Sequence, residues 1–215
     1  YDRRFEKTAP LRDTLHLFIR AIFAELPAHA RILCVGAGTG AEILKLAANF
    51  PDWHFVAVEP SKPMLDLCRS KAEAAGIAAR CEFHEGYLDS LPPMDAFDAA
   101  TSLLVSHFIL DREERVQFYQ GIAERLRPGG LLVSADLCAD LTSAVYQQDL
   151  EIWMSLMQQA GQTAEQVQNL RTAYGSAVAL IPPEALSDLI AETGFEPPVQ
   201  FLQTGLIHAC RARKR

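Results

Sequence analysis

No stretch of this chain approaches the roughly 18 uninterrupted apolar residues that a membrane-spanning helix requires, and none of its five cysteines stands in C-x-x-C spacing with another. The first absence excludes a transmembrane reading. The second, with scattered positions and an odd count (Cys34, Cys68, Cys81, Cys138, Cys210), argues against structural zinc, so no metal is expected, and against a disulfide framework. Reduced thiols in a cytoplasmic protein are expected instead. Repeats and low-complexity runs are missing as well. Positive charge is in deficit: 20 Lys and Arg against 27 Asp and Glu leave a net charge of −7, which disfavours non-specific contact with nucleic acid. The one basic run, "CRARKR" at the C-terminus, reads as a solvated tail. The opening "YDRRFEKTAP" lacks the apolar centre of a signal peptide, and it begins at Tyr1 rather than Met, so upstream residues are expected.

What is present is an ordinary globular composition, 49% hydrophobic and 22% charged over 215 residues. That length suits one domain, 1–215, with a single sizeable core. From Leu11 to Leu26 apolar residues recur at three- and four-residue steps, so residues 1–30 carry an amphipathic helical cover that ends at Pro27, with His16 on its polar side. Short apolar runs then alternate with helical ones. "RILCV" is a strand, Ala41 to Asn49 a helix, "HFVAVE" a strand, and Ser61 to Ala75 a helix with Ser61 as N-cap and Pro63 in its first turn. "RCEFHEG", which contains His84, and "FDAATSLL" add two strands. A helix from Arg112 to Leu126 opens on the capping pair Asp111 and Glu114, and "RPGG" closes it and turns into the strand "LLVSADL".

Such alternation defines an α/β fold: a doubly wound, mostly parallel seven-stranded sheet. After Leu137 the rhythm changes. Leu141 to Tyr174 is helical in pattern and rich in Gln and Met, with few turn signals. Pro182 to Glu192 is a further helix, and "PVQFLQTGLIHACRA" is an antiparallel hairpin bent at Thr204-Gly205. Residues 138–180 therefore form a helical insertion, a natural place for substrate-specific structure or a homodimer contact.

The segment "RILCVGAGTG" sets an apolar strand against Gly36, Gly38 and Gly40. In a parallel sheet ligands bind beyond the carboxyl ends of the strands, and a turn stripped of side chains lets a ligand press against backbone N–H groups at a helix start. Gly36, Gly38 and Ala41 also satisfy G-x-G-x-x-A, so a nicotinamide dinucleotide competes for this turn. Glu59, about twenty residues on at the end of the second strand, is placed to accept hydrogen bonds from ribose hydroxyls. It serves any nucleoside ligand equally.

Taken in order, "ILCVGAGTG", "VAVEPSKPMLDLCR", "FHEGYLDSLP", "FDAATSLLVSHFILD" and "ERLRPGGLLVSAD" resemble the successive motifs of class I S-adenosylmethionine-dependent methyltransferases over roughly residues 31 to 137. The resemblance implies a Rossmann-like fold and S-adenosyl-L-methionine as cofactor, with S-adenosyl-L-homocysteine as product. It assigns Gly36, Ala37, Gly38 and Gly40 to the methionine part, and Glu59 to the ribose. Pro60, Ser61 and Met64 fall to one side of the adenine, Gly86, Tyr87 and Leu88 to its other side, and Leu103 to the methionine moiety. Where many relatives have Gly-Asp, this chain has Gly86-Tyr87, so a carboxylate for the adenine amine is absent or displaced to Asp89, and Tyr87 is free to stack on the base.

Methyl transfer from a sulfonium is an in-line displacement that needs positioning above all, with a general base only where the acceptor must lose a proton. His107, after the fourth strand, is the candidate base, with Tyr119 and Tyr146 behind it. Candidate substrate residues are Tyr1, Arg4, Phe5, Tyr146, Asp149, Trp153, Arg171 and Tyr174. A looser likeness to the carboxymethyl, tRNA-uridine-modifying branch, which handles carboxy-S-adenosylmethionine, would give Arg171 an extra carboxylate to meet. Methylation of a small molecule is the leading function, and the acidic charge makes nucleic acid an unlikely partner. The alternatives are a non-catalytic adenosyl-ligand binder, for which the Gly86-Tyr87 departure speaks, and, last, a nicotinamide-dependent oxidoreductase. Replacing Glu59 by Ala is expected to weaken S-adenosylhomocysteine binding by roughly 1 to 3 kcal/mol in titration calorimetry; unchanged affinity removes Glu59 from the site.

Overall fold

Amphipathic and apolar segments alternate along the folded chain as they do along the sequence. In the computed structural model, which describes residues 7–215, helix α1 (Ala9–Ile22) precedes β1 (Arg31–Val35), α2 (Ala41–Asn49), β2 (His54–Glu59) and α3 (Lys62–Ala74). Next come β3 (Cys81–Glu85), β4 (Phe97–Leu103), α4 (Arg112–Arg125) and β5 (Leu126–Leu137). The remainder holds α5 (Tyr146–Gln159), α6 (Ala164–Ala173), α7 (Pro183–Glu192), β6 (Val199–Thr204) and β7 (Ile207–Arg213).

The strands form one seven-stranded sheet in the order β3-β2-β1-β4-β5-β7-β6. From β3 through β5 every neighbour is parallel, while β7 runs antiparallel to both β5 and β6. The chain works outward from β1 in one direction through β2 and β3, then crosses back to lay β4 on the other side of β1. That reversal puts the topological switch point at the carboxyl ends of β1 and β4, where a crevice opens in folds of this kind.

Strands β1 and β2 are buried along nearly their whole length because both faces are covered. Ile32, Cys34, Ala57 and Val133 meet Ile19 of α1, Phe23 just after it, Ile43 and Leu46 of α2, and Leu65 of α3. On the opposite face Leu33, Val35, Val58 and Leu132 meet Tyr119 and Ile122 of α4 and Leu186 and Ile190 of α7. A third cluster joins Tyr146, Leu150, Trp153, Met154 and Met157 of α5 to Val178, Leu180 and Leu206, with Leu11 of α1 packed against it.

Several local expectations are corrected. Helix α1 ends four residues before the expected Leu26, at Ile22, and the chain reaches Pro27 through turns. His16 is buried, not solvent-facing, because α2 covers that flank: Lys45 pairs with Asp13 at 3.9 Å and Arg20 Nη1 donates to Asn49 Oδ1 at 3.0 Å. The "RPGG" words do not close a turn before the strand. Strand β5 starts at once at Leu126, and they form an irregularity inside it, with Leu126 paired to Phe97 and Leu131 to Ala99 and with Gly129 at φ +76°. The long helical segment divides in two: α5 stops short of Gly161 (φ +95°), and α6 starts on a capping box between Thr163 and Gln166. Asp111 caps α4 by accepting from Glu114 N–H at 2.9 Å.

The bend of the β6–β7 hairpin lies under α5. Gly205 has φ +56°, and a Cβ there would run into the Trp153 ring. A Gly205→Ala variant therefore carries both a left-handed backbone penalty and overpacking, and is expected to lose about 2 to 4 kcal/mol in chemical denaturation.

Candidate functional site

Three glycines punctuate the turn after β1, and each has its own reason. Gly36 (φ +71°) leaves no room for a Cβ, which would strike the Val105 side chain; Gly40 (φ +77°) leaves none either, because Cys68 Sγ lies there. Gly38 (φ +55°) faces open space, with no atom within 4 Å of where a Cβ would stand. Two glycines thus serve close packing and one leaves a bare backbone at the crevice, the fit expected of a turn onto which a ligand is pressed. The Gly36 and Ala37 N–H groups donate to Val58 O at 2.8 and 3.1 Å, which locks the turn to β2.

Glu59 ends β2 and is 7% exposed. Its Oε2 accepts from Gly38 N–H at 2.9 Å and its Oε1 from Ser61 N–H at 2.8 Å. A carboxylate has about four lone-pair directions, so capacity for further donors remains after both turns are held. Ser61 stands at the N-cap of α3 but makes no side-chain cap; its backbone N–H serves Glu59 instead. The end of β3 joins the same edge, because Gly86 N–H donates to Glu59 O at 3.2 Å. Beside it Tyr87 is 72% exposed, while Leu88 turns into the core beneath α4. Pro60 and Asp89 are exposed, and Ser61, Met64 and Leu103 are half-buried. The carboxyl ends of β1, β2, β3 and β4 therefore bring the sequence-selected residues to one edge of the sheet.

A second group gathers where β4 and β5 end. Asp136 is 1% exposed. Its Oδ1 accepts from the His107 backbone N–H at 3.1 Å and lies 3.0 Å from His107 Nδ1. Its Oδ2 accepts from Ser106 Oγ at 2.9 Å, from the Tyr119 hydroxyl at 3.0 Å and from Ser134 Oγ at 3.2 Å. An anion so fully supplied with donors fixes the histidine that leans on it. Leu104, between the strand and this turn, has φ +60°, an unusual value for a non-glycine residue, and its N–H donates to Ala135 O at 2.6 Å. Backbone strain of this kind costs about 1 to 3 kcal/mol and collects at sites where geometry is imposed. Tyr119, the alternative base, lies wholly inside; burial and the Asp136 charge push its hydroxyl well above the ordinary tyrosine range.

The sequence reading missed Asp136, which looked like one more residue of an apolar strand, and Glu42. The latter is 7% exposed on α2, directly after the glycine turn, and accepts from Thr101 Oγ1 at 2.8 Å. Burial raises its carboxyl to about 7, against the opposing hydrogen bonds from Thr101 and Cys34. A charged residue two positions past the last glycine was the available signal.

The candidate substrate residues are placed elsewhere. Tyr1, Arg4 and Phe5 lie outside the described residues. Tyr146 and Trp153 are buried in the third cluster, and the Trp153 ring N–H donates to the Tyr174 hydroxyl at 2.8 Å. Arg171 is engaged by both oxygens of Glu151, at 2.6 and 2.9 Å, and Asp149 is exposed. His84 Nε2 lies 2.8 Å from Ser90 Oγ.

A doubly wound sheet with a bare glycine turn and a buried acid at adjoining strand ends is the layout of nucleoside-binding folds. Comparison with known proteins narrows it. A family model described as a methyltransferase domain matches residues 32–130. Demethylmenaquinone methyltransferase of Deinococcus radiodurans is 31% identical over 221 residues, covering 94% of this chain and 87% of that protein. Carboxy-S-adenosyl-L-methionine synthase of Campylobacter lari is 24% identical over 199 residues, covering 91% of this chain and 82% of that protein. In fold, the chain matches a crystal structure of an O-methyltransferase homologue from Nostoc punctiforme with a TM-score of 0.72 at 15% identity, covering 96% of this chain and 58% of that longer one. The chain belongs to the class I S-adenosylmethionine-dependent methyltransferases. Membership implies S-adenosylmethionine as the methyl donor. Among the described residues no helix is long and apolar enough to cross a membrane, and no cluster of His, Cys, Asp and Glu is arranged to hold a metal ion.

A folded-state carboxyl near 7 against an ordinary 4.5 means Glu42 contributes no penalty below about pH 4.5 and a growing one as pH rises toward 7. Denaturation at pH 5 and pH 8 is expected to show a loss of roughly 2 kcal/mol from this residue over that interval, absent in Glu42→Gln. Equal pH dependence of the two proteins would show that Glu42 ionises without cost.

Proposed function

We propose that this chain methylates a small-molecule acceptor that must lose a proton, such as a hydroxyl on a ring, with His107 as the general base and Asp136 as the residue that positions it. The single observation that carries the reading is the Asp136 carboxylate, which faces His107 Nδ1 at 3.0 Å while four other donors hold it in place. Asp136 favours the tautomer that carries its proton on Nδ1, against the longer 3.4 Å approach of the Leu137 N–H to the same nitrogen, and in that tautomer Nε2 presents its lone pair. No described residue hydrogen-bonds Nε2. When bound, S-adenosylmethionine supplies a methyl group already activated by the positive sulfur. The bare Gly36–Gly40 turn would hold its amino-acid part, with Leu103 beside it. Glu59 would take the ribose hydroxyls, and Pro60, Ser61 and Met64 on one side and Gly86, Tyr87 and Leu88 on the other would hold the adenine. His107 would take the proton that the acceptor hydroxyl loses. The Asp136 anion stabilises the imidazolium so formed.

The small-molecule reading is supported by the Deinococcus relative, named for methylating demethylmenaquinone. The carboxy-S-adenosylmethionine reading has its own relative, but Arg171, its candidate for an extra carboxylate, is already engaged by Glu151. Tyr146, Trp153 and Tyr174 act on substrate in this view only by shaping the layer of α5 and α6.

Offering S-adenosylmethionine with a panel of hydroxylated aromatic acceptors, read by mass detection, identifies a working acceptor. On it, His107→Ala is expected to lower kcat/KM by about 10²- to 10⁴-fold with S-adenosylhomocysteine affinity unchanged. Asp136→Asn is expected to weaken activity on the same acceptor. Full activity in His107→Ala would remove the base; binding without turnover on every acceptor would favour the non-catalytic reading.

A further inference from the structure

Two buried carboxylates flank the glycine turn, and only one is spent on the backbone. Glu59 holds the N–H groups of Gly38 and Ser61. Glu42 accepts from the Thr101 hydroxyl at 2.8 Å, with the Cys34 thiol as a second, weaker donor. The groups that face it come from every neighbouring element: Cys34 from β1, Glu59 from β2, Thr101 from β4 and Cys68 from α3. None of these is a cation. The positive groups between α1 and α2, Arg12 and Lys45, lie with Asp13 around His16. Burial of a carboxylate beside a second one, with no counter-cation, makes its charged form costly until a positive charge arrives from outside.

The two ligands of this family's site differ by such a charge. S-adenosylmethionine carries a positive sulfur; S-adenosylhomocysteine, which lacks the methyl group, has a neutral one. We propose that Glu42 is a specificity residue that distinguishes the sulfonium donor from its thioether product, giving up its proton when the charged ligand fills the glycine turn and keeping it when the neutral one does. The inference rests on the turn being the cofactor cradle. The proton balance is simple: below neutrality, binding of the sulfonium ligand releases up to one proton from Glu42 to solvent, and binding of the thioether releases none. The carboxyl stands near 7, where the approach of one charge is enough to change its state. Thr101, whose hydroxyl donates to Oε1, favours the ionised form.

The test is titration calorimetry of the whole chain with each ligand from pH 5.5 to 8.5, in buffers of different ionisation enthalpy so that proton release is read directly. The positive sulfur lowers the ammonium pKa of its own ligand, so the ratio of the two dissociation constants is taken for the natural chain relative to Glu42→Gln, where only the ligands' own titration remains. That relative ratio is expected to rise about tenfold in favour of the sulfonium ligand across this range, with the proton release that Glu42 contributes confined to that ligand. In Glu42→Gln itself the rise is expected to be absent. Thr101→Val, which removes the hydroxyl donor, is expected to move the midpoint of the rise to higher pH and serves as the second variant should Glu42→Gln not fold. A relative ratio independent of pH, or an unmoved midpoint in Thr101→Val, overturns the proposal. Failure of both ligands to bind at any pH strikes the cofactor cradle itself, an outcome distinct from binding without pH discrimination.

Discussion

The hydrogen bonds from Gly38 and Ser61 N–H groups to the Glu59 carboxylate hold the carboxyl edge of this sheet in one shape. A buried anion must be paired, and here the donors come from the turn after β1 and the turn after β2 together. Satisfying the carboxylate therefore fixes the distance between the two loops. The tie adds to the bonds from the Gly36 and Ala37 N–H groups to Val58 O, which lock the same turn to β2. In the proposed function the acid that keeps the turn in shape also meets the ligand.

On the other side of the switch point the same device is repeated with a different outcome. Asp136, near the end of β5, collects donors from the turn after β4, from α4 and from its own strand. Where Glu59 secures backbone, Asp136 secures an imidazole ring. The two stand on opposite sides of the β1–β4 seam, the arrangement on which the proposed transfer to a separate acceptor rests.

Much of this was legible without coordinates. The glycine spacing, the acid twenty residues on and the unbroken apolar strands are local signals, and the α/β order with its antiparallel end follows from them. What was not legible lay in contacts between distant elements. His16 sits on a flank that looks polar from α1 alone and is buried only because α2 crosses it. "RPGG" reads as a turn, yet β4 pairs with the chain on both sides of it and β7 with the chain after it, so it is absorbed into a strand. Arg171 looked free to meet a carboxylate until α5 presented Glu151. Asp136 was hidden inside an apolar run, where one polar residue carries no periodic signal.

The sequence by itself determined the family and the layered architecture, and it picked out the edge where the glycine turn meets Glu59, because those are written in residues close together along the chain: a strand, its turn and the acid that ends the next strand. The tertiary structure alone decided which carboxylate meets which donor. Glu42 reaches Thr101 across 59 positions and Asp136 reaches His107 across 29. Pairings of that span are set by the order in which strands are laid into the sheet, and charge buried by that packing acquires its properties from neighbours that no local pattern announces.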